Sequence, residues 1–435
     1  MKYPKEYLDE IKTRLKVSTV VSKTVSLKKR GKEFVGLSPF KNEKTPSFTV
    51  NDEKGFYHCF STSEHGNIFD FLMKTQNLKF GESVKTLANL AGMRPYTFSK
   101  KDEEREKNWQ HYVSIYSKYI EFYHDALLKN SNSELAKNYL KNRNVTIEEV
   151  KKFNIGYVEK NPNFYEKIKD KFDEKFLKEC GLFYFDEKKK QYVERFRARV
   201  IFPINSISDQ PIAIGGRTIQ NDNYQAKYIN SPETQFFKKG NNLYNINRAR
   251  KLSNSIDQVF LVEGYMDVLA LAQHGIDHCV ATLGTATTAT HLQRLFRLAP
   301  SIVFCFDGDR AGRDAAGRAL EIALPSLESG RQVSFLFLPD GEDPDSVVRD
   351  QGADTFRALI ESATPLPDLL FDTLLNQTDP TRMDGKARLA TLARPLISRV
   401  PEGPLRELMQ QRLSDLTGIA PGGLGGSPAT PAKVP

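Results

Sequence analysis

The sequence predicts a multidomain chain, part α+β and part α/β, and three observations carry that reading. Its 435 residues are enough for roughly two or three domains. From 257 to 340, apolar stretches of strand length alternate with amphipathic stretches of helix length, the pattern of a parallel sheet with helices on its faces. Near the N-terminus, "GLSPFKNEKTPSF" at 36–48 and "FYHCFSTSEHG" at 56–66 read as strands with turn residues where a zinc ribbon carries its ligands, although Cys59 is the one thiol there. The expected order is a zinc-ribbon-like domain over 1–100, a basic mixed α+β subdomain over 110–250, a parallel-sheet α/β subdomain over 257–340, a helical subdomain over 341–418 and a flexible linker over 419–435.

Residues 4–30 read as a helix followed by the basic stretch "SLKKRGK". Strands follow at "EFVGL", "SFTV" and "GFYHCF", then a helix over 67–91. The charged run "SKKDEEREK" at 99–107 is a linker or a helix start. Residues 109–180 are mainly helical, with Tyr and Leu at helical spacing, and 192–245 turn to short strands. In the α/β unit, "QVFLVEG", "HCVATLG", "SIVFCFDGD" and "QVSFLFLPDG" are the strands, with helices over 265–274, 287–298 and 311–328 between them. Residues 345–418 read as helical, and "APGGLGGSPATPAKVP" as a linker too rich in Gly and Pro to pack. No stretch approaches membrane-spanning length, and the four cysteines, Cys59, Cys180, Cys279 and Cys305, show no pairing pattern. A soluble cytoplasmic monomer is expected.

The net charge of +9 is unevenly spread. Residues 1–100 hold 18 Lys/Arg against 10 Asp/Glu, whereas 251–435 hold 17 against 23. A basic front suits a polyanion, because Lys and Arg displace condensed counterions from phosphates; it equally suits a solvated lysine-rich surface. Lysine nearly disappears after Lys251, leaving only Lys386 and Lys433, while arginine continues. That change marks a compositional junction near 250.

Three of the four predicted parallel strands end in acids. "FLVEGYMD" supplies Glu263 and, one helical turn on, Asp267. "VFCFDGDRAG" supplies Asp307 and Asp309, with Gly308 allowing a tight turn. "FLPDGEDPD" supplies Asp340, Glu342, Asp343 and Asp345. Ligands of open parallel sheets bind beyond the carboxyl ends of the strands. Carboxylates gathered there would repel one another unless cations sat between them, and oxygen ligands suit Mg²⁺ or Mn²⁺. Each motif also has a plainer reading: Glu263 favours a helix N-terminus, "DGD" is good turn chemistry, and Asp343 before Pro344 is a helix cap.

Taken together, "VEGYMD", "LGTA", "FDGDRAGRDAA" and "LPDGEDPDSVV" resemble a TOPRIM domain. Together with "RFRARVIFPI", "GGR", "KYINSPET", "FKKGNNLY", "PFKNEKTPSF" and "FYHCF", in order along nearly the whole chain, they resemble bacterial DnaG-type DNA primases. The resemblance implies template-directed synthesis of short RNA primers from ribonucleoside triphosphates on single-stranded DNA. It implies Glu263, Asp307 and Asp309 as core metal ligands, with Asp267, Asp343 and Asp345 as outer or second-metal ligands; Asp340 and Glu342 are weaker candidates.

The basic half is expected to hold template and nucleotide. "RFRARV" read as a strand puts Arg195, Arg197 and Arg199 on one face, where their guanidiniums fit phosphate. Arg217 follows two glycines that would let a backbone or ligand approach closely. Lys227, Lys239 and Arg143 complete the set that the resemblance implies.

The family's zinc domain uses three cysteines and a histidine. Aligned on the shared motifs, those positions fall on Ser38, Lys41, Cys59 and Thr62, so no zinc is expected here. His58 adjoins Cys59 in a strand and points to the opposite face; His65 is nearby. Phe34, Phe40, Phe48, Phe56, Phe60, Phe69 and Phe71 are expected to hold the domain instead, and its basic and aromatic groups to meet single-stranded DNA.

Two rivals remain at this point: another TOPRIM enzyme, a topoisomerase or nuclease, and a degenerate primase relative that only binds single-stranded DNA. Family members continue past a linker into a helical domain that binds the replicative helicase. Because the chain stops in such a linker, the helicase-docking domain is expected to be absent.

Overall fold

The computed structural model describes residues 3–419 except 32, 53, 221–225, 253–255 and 329, and gives no side-chain account of Lys5 and Glu6. The linker predicted over 419–435 therefore lies, from 420 on, outside the described residues. The chain divides into two compact units, 1–108 and 109–435.

The first unit opens with helices α1 (Lys5–Arg14) and α2 (Val17–Val21) rather than one long helix. A five-stranded antiparallel meander follows: β1 (Lys28–Arg30), β2 (Glu33–Gly36), β3 (Phe48–Asn51), β4 (Phe56–Cys59) and β5 (His65–Gly66). The helix predicted over 67–91 is two, α3 (Ile68–Gln76) and α4 (Phe80–Leu90), because Asn77 adopts a left-handed backbone (φ 52°) that ends the first. Asn67 caps α3 by accepting from the Phe69 and Asp70 amides, while Asp70 returns a bond to the Asn67 amide. The core is Ile11, Val21, Phe48, Val50, Tyr57, Cys59, Phe71 and Leu87. Of the seven phenylalanines expected to hold the domain, Phe48, Phe69 and Phe71 are buried, Phe34 and Phe40 partly so, and Phe56 and Phe60 are exposed.

The charged run at 99–107 is the start of α5 (Lys100–Lys129), which buries Tyr112, Tyr116, Tyr119 and Tyr123 at helical spacing. Then come α6 (Glu134–Asn142), α7 (Ile147–Lys152), β6 (Gly156–Val158), α8 (Phe164–Ile168) and α9 (Glu174–Glu179). A hairpin of β7 (Phe183–Asp186) and β8 (Gln191–Glu194) leads to β9 (Arg199–Asn205), β10 (Pro211–Thr218) and β11 (Tyr228–Asn230), which with β6 form an antiparallel sheet in the order β11-β10-β9-β6.

After α10 (Ile246–Lys251), the chain builds the predicted α/β sheet: β12 (Gln258–Val262), α11 (Tyr265–Gln273), β13 (Cys279–Ala281), α12 (Ala289–Leu295), β14 (Ser301–Phe306), α13 (Arg310–Ala323) and β15 (Gln332–Phe337). Then follow α14 (Pro344–Gln351), α15 (Ala353–Glu361), the antiparallel edge strand β16 (Thr364–Pro365), α16 (Leu366–Leu375), α17 (Met383–Ile397) and α18 (Pro404–Thr417). The sheet order is β13-β12-β14-β15-β16, and its first four strands are parallel. Strand β12 has its successor β13 on one side and β14 on the other, so the topology reverses between β12 and β14. An open α/β sheet offers its ligand crevice at such a point. Helices α16–α18 pack Leu370, Phe371, Leu374, Leu389, Ile397 and Leu413 into the same core as Phe304 and Phe335 of the sheet.

Candidate active site

Glu263 leaves β12 and Asp307 leaves β14, so the two carboxylates emerge on either side of the topological switch point. Gly308 is needed there for closeness rather than for a left-handed turn: a Cβ on it would lie 2.0 Å from the carbonyl oxygen of Pro339. That contact presses the loop carrying Asp307 and Asp309 against the loop carrying Asp340–Asp345, and the Gly308 amide donates to the Glu342 carbonyl at 3.3 Å. Asp267, one turn into α11, accepts from the Gly264 amide at 2.9 Å; Asp309 accepts from Gly312 at 2.7 Å; Asp343 accepts from Ser346 at 2.7 Å. The helix-cap reading of Asp343 is thus real, and Asp309, read as turn chemistry, caps α13 in the same way. Capping occupies one oxygen of each.

The acids press on one another electrostatically. Burial, then the charges of Asp343 and Asp307, push Asp267 up to about 8. Partial burial, then Glu263, Asp343 and Asp309, raise Asp307 to about 6. Burial and then Asp309 raise Glu263. Asp307 Oδ1 is buried with no hydrogen-bond partner. An orphaned carboxylate oxygen among raised carboxylates suits a hard divalent cation such as Mg²⁺. Among the described residues, no three His, Cys, Asp or Glu side chains converge closely enough to share one ion. Asp345 differs from its neighbours. It is buried between Arg143 (2.7 Å) and Arg349 (3.1 Å) and so carries its own counter-charges. Asp340 is exposed beside Arg313, and Glu342 bonds Ser346 Oγ.

Beside Glu263 a cleft of about 310 Å³ opens, lined by Thr282, Thr285, Thr287 and Arg318. Arg318 was not foreseen; its charge lowers Glu263 against the other two influences.

"RFRARV" is not a strand. β8 stops at Glu194 and β9 starts at Arg199; between them the chain turns, with Ala198 left-handed at φ 53°. The three arginines therefore share no strand face. Arg195 Nε donates to the Gly181 carbonyl at 2.9 Å and Arg197 Nη2 to Tyr184 Oη at 2.7 Å, both beside the Tyr184 ring. Arg199 is 5% exposed and donates to the carbonyls of Gly216, Ala226 and Lys227. The turn is anchored by Glu194, a residue the sequence reading passed over except as an acidic neighbour. It is buried and accepts from Tyr123 Oη and from the Phe164 amide. Burial raises it, with those bonds pulling the other way.

Arg217 lies against the rings of Tyr139 and Tyr228, bonds Tyr228 Oη at 2.9 Å, and has a buried Nε without a partner. The two glycines before it leave room for the protein's own side chains rather than for a ligand: a Cβ at Gly215 would meet the Tyr265 ring at 2.3 Å, and one at Gly216 the Phe196 ring at 2.6 Å. Lys227 is exposed, and the half-buried Lys239 sits in a loop pinned by His291 and Thr288.

In the N-terminal unit, Cys59 Sγ lies 3.2 Å from Ser38 Oγ, 3.4 Å from Ser61 Oγ and 3.8 Å from Ser47 Oγ, while Glu43 accepts from the Ser38 and Ser47 amides. Lys41 is exposed. One thiol ringed by hydroxyls does not fit a structural zinc, which needs four thiolate or imidazole ligands. His58 stacks near His65 and Phe60, off the Cys59 side of β4.

Comparison with known proteins covers all of these regions. Family models match as CHC2 zinc finger over 3–104, DNA primase catalytic core N-terminal domain over 122–250, Toprim-like over 260–348, and DnaB-helicase binding domain of primase over 370–422. The last match corrects the expectation that the helicase-docking domain is absent: it falls on the segment read from the sequence as a helical subdomain before the linker, taking in most of α16 and all of α17 and α18. A DNA primase of Pseudomonas aeruginosa is 44% identical over 425 residues, which is 96% of this chain and 63% of that protein. The DNA primase of Escherichia coli K12 is 42% identical over 96% of this chain and 72% of its own length. Among solved structures, a DNA primase domain from P. aeruginosa superposes with TM-score 0.67 at 47% identity, over 71% of this chain and 97% of that one. A DnaG primase catalytic domain bound to ssDNA gives 0.67 at 42%, over 72% and 98%. The Aquifex aeolicus primase zinc-binding and RNA polymerase domains give 0.62 at 27%, over 95% and 98%. The relatives' matches take in 96% of the chain, and so both sides of the compositional junction near 250, and this chain belongs to the bacterial DnaG-type DNA primase family.

Proposed function

We propose that this chain synthesises short RNA primers on single-stranded DNA, joining a 3′-hydroxyl to the α-phosphate of an incoming ribonucleotide with release of pyrophosphate. The single observation that carries the reading is Asp307, with a buried unpartnered oxygen among mutually repelling acids at the sheet's switch point. Glu263, Asp307 and Asp309 would hold Mg²⁺ or Mn²⁺, with Asp267, Asp343 and Asp345 around them. Bound there, the ion would acidify the 3′-hydroxyl and stabilise the attacking and leaving oxygens. No side chain is needed as a nucleophile. Arg143, paired with Asp345, and Arg217, against the Tyr139 and Tyr228 rings, join Arg195, Arg197, Lys227 and Lys239 in offering positive charge to template and nucleotide phosphates. Arg199 acts through the backbone of Lys227. The exposed Phe56 and Phe60 give the first unit rings on which bases can stack.

The segment over 370–422 supports a replicative helicase as partner, by its match to a helicase-binding domain. Four free, buried cysteines fit a reducing cytoplasm, and no helix among the described residues is long and apolar enough to cross a membrane. Incorporation of labelled ribonucleotides on a single-stranded template, with Mg²⁺ or Mn²⁺, tests the proposal. DNA binding without incorporation would overturn it in favour of a binding protein.

A further inference from the structure

Asn230, the last residue of β11, sits where three motifs meet. Its Oδ1 accepts from the hydroxyl of Tyr265, and its Nδ2 donates to the carbonyl of Leu283 at 2.8 Å. Tyr265 is the first residue of α11, two residues after Glu263. Its ring stacks on Phe202 of β9 at 5.1 Å with the planes 3° apart, and meets Tyr244 edge-on at 4.8 Å. It fills the space that Gly215 leaves in β10. Leu283 is the second residue of the loop after β13, which turns through Gly284 (φ 68°) and lines the cleft beside Glu263. Lys227 lies three residues before Asn230 and is itself held by Arg199.

We propose that Asn230 is a positioning residue for the reaction: one side-chain amide fixes the turn carrying Glu263, through Tyr265, and the Leu283–Thr287 loop, through Leu283, against β11, the strand that follows Lys227. The amide is suited to this because it faces an acceptor and a donor at once. Aspartate has the same shape but would turn a second oxygen toward the Leu283 carbonyl. Tyr265→Phe keeps the ring in the Gly215 gap and removes only the hydroxyl. The inference rests on the primer-synthesis reading, and its test separates the two.

The full chain and its Asn230→Asp, Asn230→Ala and Tyr265→Phe variants are compared in ribonucleotide incorporation, template binding, thermal melting and binding of Mn²⁺ alone. The expected result is a kcat about ten- to a hundredfold lower in Asn230→Asp, as when groups that orient metal-site ligands are lost. Nucleotide KM, template affinity and melting temperature stay close to wild type, Mn²⁺ binding weakens, and Tyr265→Phe shows a smaller loss of the same kind. Wild-type kcat and Mn²⁺ binding in Asn230→Asp would overturn the inference, as would melting temperature, template affinity and kcat all falling together in all three variants. If the wild-type chain makes no primers while Asn230→Asp still weakens Mn²⁺ binding, the functional reading fails and the positioning role stands.

Discussion

Arg143 Nη1 donates to Asp345 Oδ2 at 2.7 Å, tying the C-terminal end of α6 to the first turn of α14, 202 residues further along the chain. Asp345 is 1% exposed, so its charge depends on Arg143 and Arg349. Removing one partner of a buried pair leaves an uncompensated charge. Because Arg143 is partly open to solvent and Arg349 remains, Arg143→Ala should cost about 1–3 kcal/mol, less than for a fully enclosed pair. Asp345→Asn in the same chain should recover much of that. A double-mutant cycle by denaturant unfolding measures the coupling, and a value near zero would show that the pair contributes nothing.

The acidic edge should trade stability for function. Asp307 is raised from 3.8 to about 6, first by burial and then by Glu263, Asp343 and Asp309. A carboxyl raised in the folded state stabilises the fold below its unfolded value, and that contribution is lost as pH rises through the folded value. Asp307→Asn should therefore stabilise the chelator-treated protein at pH 8 by roughly 1 kcal/mol, discounted for partial exposure, and do little at pH 4. Primer synthesis should fall on the order of a hundredfold or more. Melting curves in chelator at the two pH values check the first part. Equal effects at both would refute the electrostatic account.

Much of this was legible in the sequence, for physical reasons that differ by region. Strands β12 and β14 are buried on both faces and appear as nearly unbroken apolar runs, β15 is apolar but for Gln332 and Ser334, and the acids that follow all three were visible with them. The arginine turn was not legible: "RFRARV" alternates as a strand does, and only the left-handed Ala198 and the buried Glu194 anchor break it. The glycines before Arg217 marked close approach correctly but not what approaches, because Tyr265 comes fifty residues later. Asn230 stood inside a quoted motif but drew no reading of its own. Its role is a long-range contact, which local pattern does not encode. Helices α16–α18 were read as helical, but a docking surface has no periodicity of its own.

The N-terminal unit should purify without stoichiometric zinc and keep its fold in chelator, unlike a ribbon whose fold depends on metal. Its thiol should show why. Burial works against the Cys59 thiolate, but the hydroxyls of Ser38, Ser61, Thr62 and Ser47 outweigh it and bring the group from 9.0 down to about 6. Burial instead pushes Cys180 up to about 12 and raises Cys279 and Cys305. One thiol of the four should therefore titrate near pH 6 by ultraviolet thiolate absorbance, and Cys59→Ser should abolish that step. A depressed group stabilises above its unfolded value and loses that contribution as pH falls through its folded value. The unit should thus weaken on acidification from pH 9 towards 6, and less so in Cys59→Ser. One tightly bound zinc per chain by elemental analysis, or no thiol titrating below pH 8, would contradict this picture.

Arg199 and Arg197 stand two residues apart and should fail in different ways. The side chain of Arg199 is buried and donates to three backbone carbonyls, those of Gly216, Ala226 and Lys227. Arg199→Ala leaves those carbonyls without their donor and should cost roughly 2–4 kcal/mol of stability. Arg197 donates to Tyr184 Oη and is half-buried at the turn; Lys227 is exposed. Arg197→Ala and Lys227→Ala should melt close to wild type but bind single-stranded DNA several-fold more weakly. Each lost phosphate contact should reduce the slope of log K against log salt by about 0.7, the value for a single strand. Melting temperature and a salt titration of template binding on the three variants separate the roles. If Arg199→Ala keeps its stability and lowers the salt slope as Arg197→Ala does, then Arg199 touches the template and its carbonyl contacts are incidental.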